Sequence, residues 1–117
     1  MKKYLAVFLG SPDAMDAFRA LPDDERKQKE KEGMSAWMKW VTDHKDAIVY
    51  DGSPLGKTKS VSKKGIADIR NEMGAYTVVQ AESHEEAAKM FENHPHFMIF
   101  PGDRVEVMEQ IPIPSRQ

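Results

Sequence analysis

The sequence contains no cysteine and no long apolar run. Without a thiol the chain can form neither a disulfide nor a thiolate nucleophile, and this composition is typical of proteins in the reducing cytoplasm. No apolar stretch approaches the roughly 20 residues that a membrane-spanning helix needs, so we expect no membrane partner. The apolar residues 4–9 are too few for a signal peptide and lead into Ser11-Pro12-Asp13 instead of a cleavage site.

The sequence also has no large excess of positive or negative charge. The 117 residues include 17 basic and 19 acidic side chains, which gives a formal net charge of −2. This balance provides no electrostatic reason to bind a nucleic acid, and we expect no such partner. With 40% hydrophobic and 31% charged residues, the composition is that of a folded globular protein. At this length we expect a single domain, residues 1–117, which buries roughly two thirds of its unfolded surface.

Hydrophobic periodicity in the first half predicts a strand and two helices. Residues 4–9 form an unbroken apolar run, which indicates a strand buried on both faces. Ser11-Pro12 is typical of a helix start, and this helix is predicted to continue to Ala20. In the longer helix that follows, Trp40 lies on the flank of an apolar stripe. The stripe is predicted to face the core and consists of Met34, Trp37, Met38 and Val41.

The rest of the chain predicts three more strands, a hairpin and a helix. The lysine-rich residues 57–64 suit an exposed edge strand or a hairpin arm that its charges protect from aggregation. Ser83 and Glu86 have the spacing of a capping box, so a helix is predicted from here to about Glu92. The three further strands are predicted at residues 47–50, 74–81 and 104–110.

This order of elements predicts an α+β fold. A β-α-β-β-α-β chain with an extra hairpin most simply forms a ferredoxin-like sandwich, an antiparallel sheet with both helices on one face. The first strand then has apolar side chains on the face without helices. Because a large bare apolar face is not tolerated on a monomer, we expect a homodimer in which two sheets pack together as a dimeric α+β barrel.

Two histidines flank a proline after the last predicted helix. In an extended segment His94 and His96 would point to the same side. As candidate catalytic residues they could form a general acid/base couple, or they could be two ligands of a zinc-type metal. A metal needs at least a third protein ligand, which the spacing does not identify, so we assign none. In the alternative interpretation His94 caps the helix end and His96 lies in a surface loop.

Three other residues are candidates for ligand binding. Asp51 follows a predicted strand, where it could orient a histidine or bind a polar ligand, although turn aspartates usually bond to their own backbone. Trp40 and Tyr76 could form the walls of a pocket, although aromatic packing between helix and sheet is the commoner role.

Several short motifs, in order and at their spacing, resemble a known family. These motifs are residues 3–8, 51–55, 74–79, 83–88, 94–95 and 105–107. The chain resembles the YCII-related proteins, which include a group named for a DGPF motif. The resemblance implies a ferredoxin-like dimeric α+β barrel with a cleft for small-molecule chemistry. The DGPF element itself is replaced by residues 63–68, and His94-Pro95 stands where YCII proteins have an Asp-Pro pair.

Three functional hypotheses follow. The first is a small-molecule enzyme that needs no cofactor and uses His94 or His96 as acid or base. The second is a non-catalytic dimer that holds a small ligand or regulates another protein. The third is an RNA-binding module, which the charge balance disfavours.

Overall fold

Six strands and four helices make up the part of the chain that the computed structural model describes, residues 1–114. In chain order they are β1 (Lys2–Leu9), α1 (Pro12–Arg19), α2 (Asp23–Asp43), β2 (Ile48–Pro54), β3 (Thr58–Ser62), β4 (Gly65–Ile69), β5 (Met73–Ala81), α3 (His84–Lys89), α4 (Pro95–Met98) and β6 (Arg104–Glu109). No helix within residues 1–114 is long and apolar enough to cross a membrane.

Four of the strands form one antiparallel sheet in the order β2-β5-β1-β6. When β3 and β4 are left out of the count, the strand order is second-third-first-fourth, which is the order of the ferredoxin-like sandwich. The predicted fold is therefore confirmed. The unbroken apolar run of β1 has its explanation here, because β1 is a central strand that pairs with β5 on one side and β6 on the other.

The core lies between this sheet and the helices. Alternate side chains of β1 point toward the helices, and Tyr4, Ala6 and Phe8 are each at most 2% exposed. They pack against Trp40 of α2 and Phe91, which follows α3. Burial of one such aromatic side chain contributes about 1.5–3 kcal/mol, so these contacts fix the helices on this face of the sheet.

The inner face of α2 differs from the predicted stripe. Met34 and Met38 are 53% and 56% exposed, whereas Gly33 and Trp40 are buried. The ring of Phe100 lies directly on Gly33, where a β-carbon would collide with it. The helix is therefore turned so that its smallest residue admits this ring, and the two methionines face outward. The prediction was wrong for both methionines and for the flank position of Trp40.

The predicted hairpin is present as a separate two-stranded sheet, β3-β4, and we call residues 57–69 the arm. Its tip turn ends at Gly65, whose φ of +106° favours glycine. The described chain measures 57 × 44 × 18 Å, and its radius of gyration of 16.4 Å exceeds the roughly 13 Å of a compact chain of this length. This elongation fits an arm that stands apart from the main sheet.

None of the helices described in residues 1–114 lies over the opposite face of the main sheet. All four helices have their core or aromatic contacts on the side of Phe8, including α1 through Phe18 and Phe100. The other face is formed by alternate residues that the register places together: Leu5, Val7, Leu9, Tyr50, Tyr76, Val78 and Met108. At one end of this face Arg104 binds Glu72 (3.1 Å) across Leu9, which is only 7% exposed. We call this surface the open face.

Candidate functional site

The loop after α3 places His94 at the start of a helix. Asn93 has a positive φ of 58°, and His94 is extended, with φ −65° and ψ 141°. Pro95 then occupies the first turn of α4, where its fixed φ suits a helix. The prediction of one extended segment was therefore wrong, because the proline starts a helix. The predicted cap is at the start of α4 and not at the end of the preceding helix.

The imidazole of His94 caps α4 from inside the core. Its Nδ1 accepts a hydrogen bond from the backbone N–H of His96 (3.0 Å). The side chain is 0% exposed, and its ring centroid lies 4.5 Å from that of Trp37, 4.8 Å from Trp40 and 4.9 Å from Phe8. Since Nδ1 accepts, the proton of the neutral ring is on Nε2, which has no hydrogen-bond partner within residues 1–114. A ligand cannot reach this ring without displacing these aromatic neighbours.

Burial among these rings keeps His94 uncharged. It lowers the pKa of His94 to about 3, with smaller contributions from His96 and His44. Desolvation penalises the protonated imidazole, and no carboxylate of the described residues hydrogen-bonds to the ring to compensate. His94 is consequently a neutral capping residue throughout the physiological range of pH.

His96 is held differently. Its Nε2 lies 2.8 Å from the carbonyl oxygen of Leu9, which can only accept, so Nε2 carries the proton and donates. Nδ1 is left with a free lone pair and makes no hydrogen bond within residues 1–114. Burial lowers the pKa of His96, although the Leu9 carbonyl and the charge of Asp103 oppose that effect. At 8% exposure His96 is not the surface residue of the alternative interpretation, because its ring packs on Gly102.

A row of half-buried aromatic rings leads from the surface to His96. Phe18 of α1 contacts Phe100 with 6.2 Å between centroids, and Phe100 contacts Trp37 at 6.1 Å. Trp37 in turn lies 6.2 Å from the ring of His96. We call Phe18, Phe100 and Trp37 the aromatic row. It places flat aromatic rings beside the imidazole of His96.

The helix that covers the outer end of this row is weakly packed. No residue of α1 is fully buried, and its start is capped by Ser11, which accepts from Ala14 N–H (3.0 Å). Arg70, at the base of the arm, forms two 3.1 Å bonds to the carboxylate of Asp16. The Arg70 guanidinium lowers the pKa of Asp16. Because this ion pair is exposed, it adds little to the weak packing of α1 against the rest of the site.

The other predicted binding residues do not converge on His96. Trp40 is a core residue whose Nε1–H donates to the carbonyl of Met90 (2.8 Å). Tyr76 lies on the open face, where it stacks on Tyr50 at 6.0 Å. Asp51 is exposed on the edge strand β2. Trp40 and Tyr76 thus lie on opposite faces of the sheet and cannot line one pocket of a single chain.

Sequence reasoning missed Phe18, Phe100 and Gly102 as parts of this site and assigned Trp37 to the core alone. Gly102, directly after Pro101, was the one signal in the sequence for this part of the site, because a backbone that approaches a ring as closely as this one approaches His96 often requires glycine. Within residues 1–114 no three histidine, aspartate or glutamate side chains are grouped as metal ligands would be. A shallow groove of about 350 Å³ lies between α2 and α4, and neither histidine lines it.

Among the solved structures that share this architecture is an enzyme with a bound ligand. It is the 5-chloro-2-hydroxyhydroquinone dehydrochlorinase (TftG) from Burkholderia phenoliruptrix AC1100, in complex with 2,5-dihydroxybenzoquinone. The two structures superpose with a TM-score of 0.57 and 17% sequence identity, and the match covers 93% of each chain. At this identity the similarity shows the fold alone. No family model matches the chain, and no curated protein matches its sequence.

Proposed function

We propose that the chain is a YCII-related protein that binds a small planar ring compound at the aromatic row and uses His96 as an acid or base. The observation that carries the proposal is the way in which the imidazole of His96 is held. One nitrogen of His96 is fixed by the Leu9 carbonyl, the other makes no hydrogen bond within residues 1–114, and the imidazole lies 6.2 Å from Trp37 at the inner end of the aromatic row, whose rings present flat apolar surfaces. Such surfaces favour a planar ligand, which stacks offset or edge-to-face on them.

The chemistry within reach is a single proton transfer. A ring hydroxyl of the ligand would give its proton to Nδ1 of His96, which forms an imidazolium beside a new phenolate. The Nε2–H would stay on the Leu9 carbonyl and hold the ring in place. Since burial lowers the pKa of His96, the imidazole is neutral and ready to accept a proton near pH 7, and the adjacent anion offsets the charge that it gains.

The proposed assembly is a homodimer through the open face. Tyr50 and Met108 on this face are 51% and 42% exposed, and Leu5 is only half-buried. Residues 110–114 do not cover them, because Ile111 and Ile113 are themselves 79% and 88% exposed. A second copy that presents the same surface is the simplest partner for an apolar sheet face.

A non-catalytic binding protein is the second candidate, and one observation favours it. No carboxylate of the described residues hydrogen-bonds to either imidazole, so neither has the orienting acid that many catalytic histidines have. Binding and catalysis make different predictions for variants of His96.

The test uses 2,5-dihydroxybenzoquinone as ligand. Because Trp37 belongs to the row, binding should quench tryptophan fluorescence, and calorimetry gives the affinity without interference from ligand absorbance. Phe18→Ala and Trp37→Phe should weaken binding, while the control Tyr76→Phe, on the opposite face of the sheet, should not. Equal affinity in all four proteins, or no binding to the unchanged chain, would refute the site.

Chloride release from 5-chloro-2-hydroxyhydroquinone tests the acid–base role. In His96→Gln the amide N–H can still donate to the Leu9 carbonyl, so binding should persist while turnover falls by about 100-fold or more. A protein that binds the ring but releases no chloride, whatever residue stands at 96, is the binding protein of the second candidate.

A further inference from the structure

The arm exposes a pair of apolar side chains that a free hairpin does not need. Val61 of β3 and Ile66 of β4 are directly paired across the two strands, and they are 75% and 71% exposed. An isolated two-stranded hairpin is marginally stable in water, because it has nothing on which to bury such side chains. An arm with this composition is expected to pack against something outside its own chain.

The arm also has a surplus of positive charge. It holds four lysines, at positions 57, 59, 63 and 64, and one acid, Asp68. Lys59 pairs with Asp68 at 2.6 Å. Lys63 and Lys64 in the tip turn are exposed, and neither forms an ion pair within residues 1–114. Lysine protects a strand edge from aggregation, but this role does not explain the exposed apolar pair beside it.

Three exposed glutamates lie at the other end of the main sheet, where Lys2, which the register puts beside them, is already paired with Glu109 (3.2 Å). Glu82, Glu85 and Glu86 are exposed around the first turn of α3. The apolar tail with Ile111 and Ile113 leaves the sheet at the same end. The register shows this, because Lys2 pairs with Ala81 and Gln110 N–H donates to the carbonyl of Lys3 (3.0 Å). The arm leaves from the opposite end of β5, so the acidic end of its own chain is far from it.

We propose that in the homodimer the arm of each chain packs on the acidic end of the other. Two sheets that pair through their open faces with antiparallel strand directions bring the arm end of one chain to the α3 end of its partner. A two-fold axis makes this contact twice. Lys63 and Lys64 would then face the glutamates of α3, and Val61 and Ile66 would meet the apolar tail. The inference rests on the homodimer proposed above and adds the arm as its second interface.

The experiment measures the dimer dissociation constant by analytical ultracentrifugation at low and high salt. Lys63→Glu/Lys64→Glu should weaken the dimer by about tenfold or more at low salt, since it places like charges together. Glu85→Lys/Glu86→Lys should weaken it similarly, and the protein with all four changes should regain most of the loss. The matched control Lys27→Glu/Lys31→Glu, on α2, should have little effect.

Val61→Ser/Ile66→Ser tests the apolar part and should weaken the dimer at both salt concentrations. Melting temperatures of all variants show whether each still folds, and the rescue by exchanged charges cannot arise from unfolding. A dimer unchanged by every arm variant would overturn the arm contact and leave the sheet-face dimer standing. A monomeric unchanged protein would overturn both, while binding of 2,5-dihydroxybenzoquinone can still be measured. Binding of an oligonucleotide is measured for the unchanged protein and for Lys63→Glu/Lys64→Glu. If the variant loses this binding while its dimer is not weakened, the lysines are a nucleic-acid contact and the proposal is refuted.

Discussion

The buried imidazole of His94 should make the protein sensitive to mild acid. In the unfolded chain a histidine takes up a proton near pH 6.5, whereas in the folded protein burial lowers the pKa of His94 to about 3. Between these two values the unfolded state binds one proton more than the folded state. The stability that the neutral ring provides is therefore complete above pH 6.5 and is lost as the pH falls toward 3.

The magnitude follows from this difference. Each pH unit below 6.5 removes about 1.36 kcal/mol from the free energy of unfolding, so His94 alone should remove about 2.7 kcal/mol by pH 4.5. That loss is a large share of the 5–15 kcal/mol that stabilises a typical protein. The pKa of His96 is also lowered, so its contribution has the same sign.

Urea denaturation at pH 7.5, 6.5, 5.5 and 4.5 measures the effect, with His94→Asn as the matched variant. Asparagine is a good N-cap and can accept the His96 N–H, but it does not titrate. The variant is expected to be less stable at pH 7.5, because its smaller side chain leaves space among the aromatic rings. The difference between the two proteins should shrink by about 2.7 kcal/mol from pH 7.5 to 4.5. A difference that stays constant over this range would refute the reasoning.

Two further substitutions test the packing around the site, each by urea denaturation. Gly102→Ala should lower the free energy of unfolding by about 1–3 kcal/mol, because its β-carbon would collide with the ring of His96. Gly56→Ala should leave it nearly unchanged, since nothing lies within 4 Å of a β-carbon there. Equal losses of stability at both glycines would contradict the packing described. Trp40→Phe should lower the free energy of unfolding by about 1–3 kcal/mol, because it removes the N–H that donates to the Met90 carbonyl and leaves that acceptor unpaired. An unchanged stability would mean that this hydrogen bond contributes nothing.

Most of the fold could be predicted from local patterns. The apolar run of β1, the lysine-rich hairpin and the strand β5 were each found where the sequence indicated. At α3, Ser83 accepts from Glu86 N–H (3.1 Å), the first of the two bonds of the predicted capping box. These features depend on neighbours in the sequence, and the order of the elements then limited the sheet to very few topologies. One domain over residues 1–117 and a cytoplasmic location remain predictions.

The candidate site was predictable only in part. The sequence singled out His94 and His96, because two imidazoles around a proline are rare in a chain with few reactive side chains. It did not separate their roles. Pro95 makes the difference, since the helix that it starts turns His94 inward as a cap and brings His96 to the Leu9 carbonyl. That carbonyl is 87 positions away in sequence, so no local pattern could reveal the bond.

Most of the strands and helices, though not α4, follow from local sequence, because backbone propensity, capping and hydrophobic period act over a few residues. How these segments face one another depends on tertiary packing. The rotation of α2 depends on the close approach of Phe100 to Gly33, which buries Trp40, half-buries Trp37 and leaves two methionines outside. Trp40 packs on the face of the sheet that the helices cover, whereas the side chain of Tyr76, in β5, lies on the open face. Such contacts join residues far apart in the chain, and packing alone selects them.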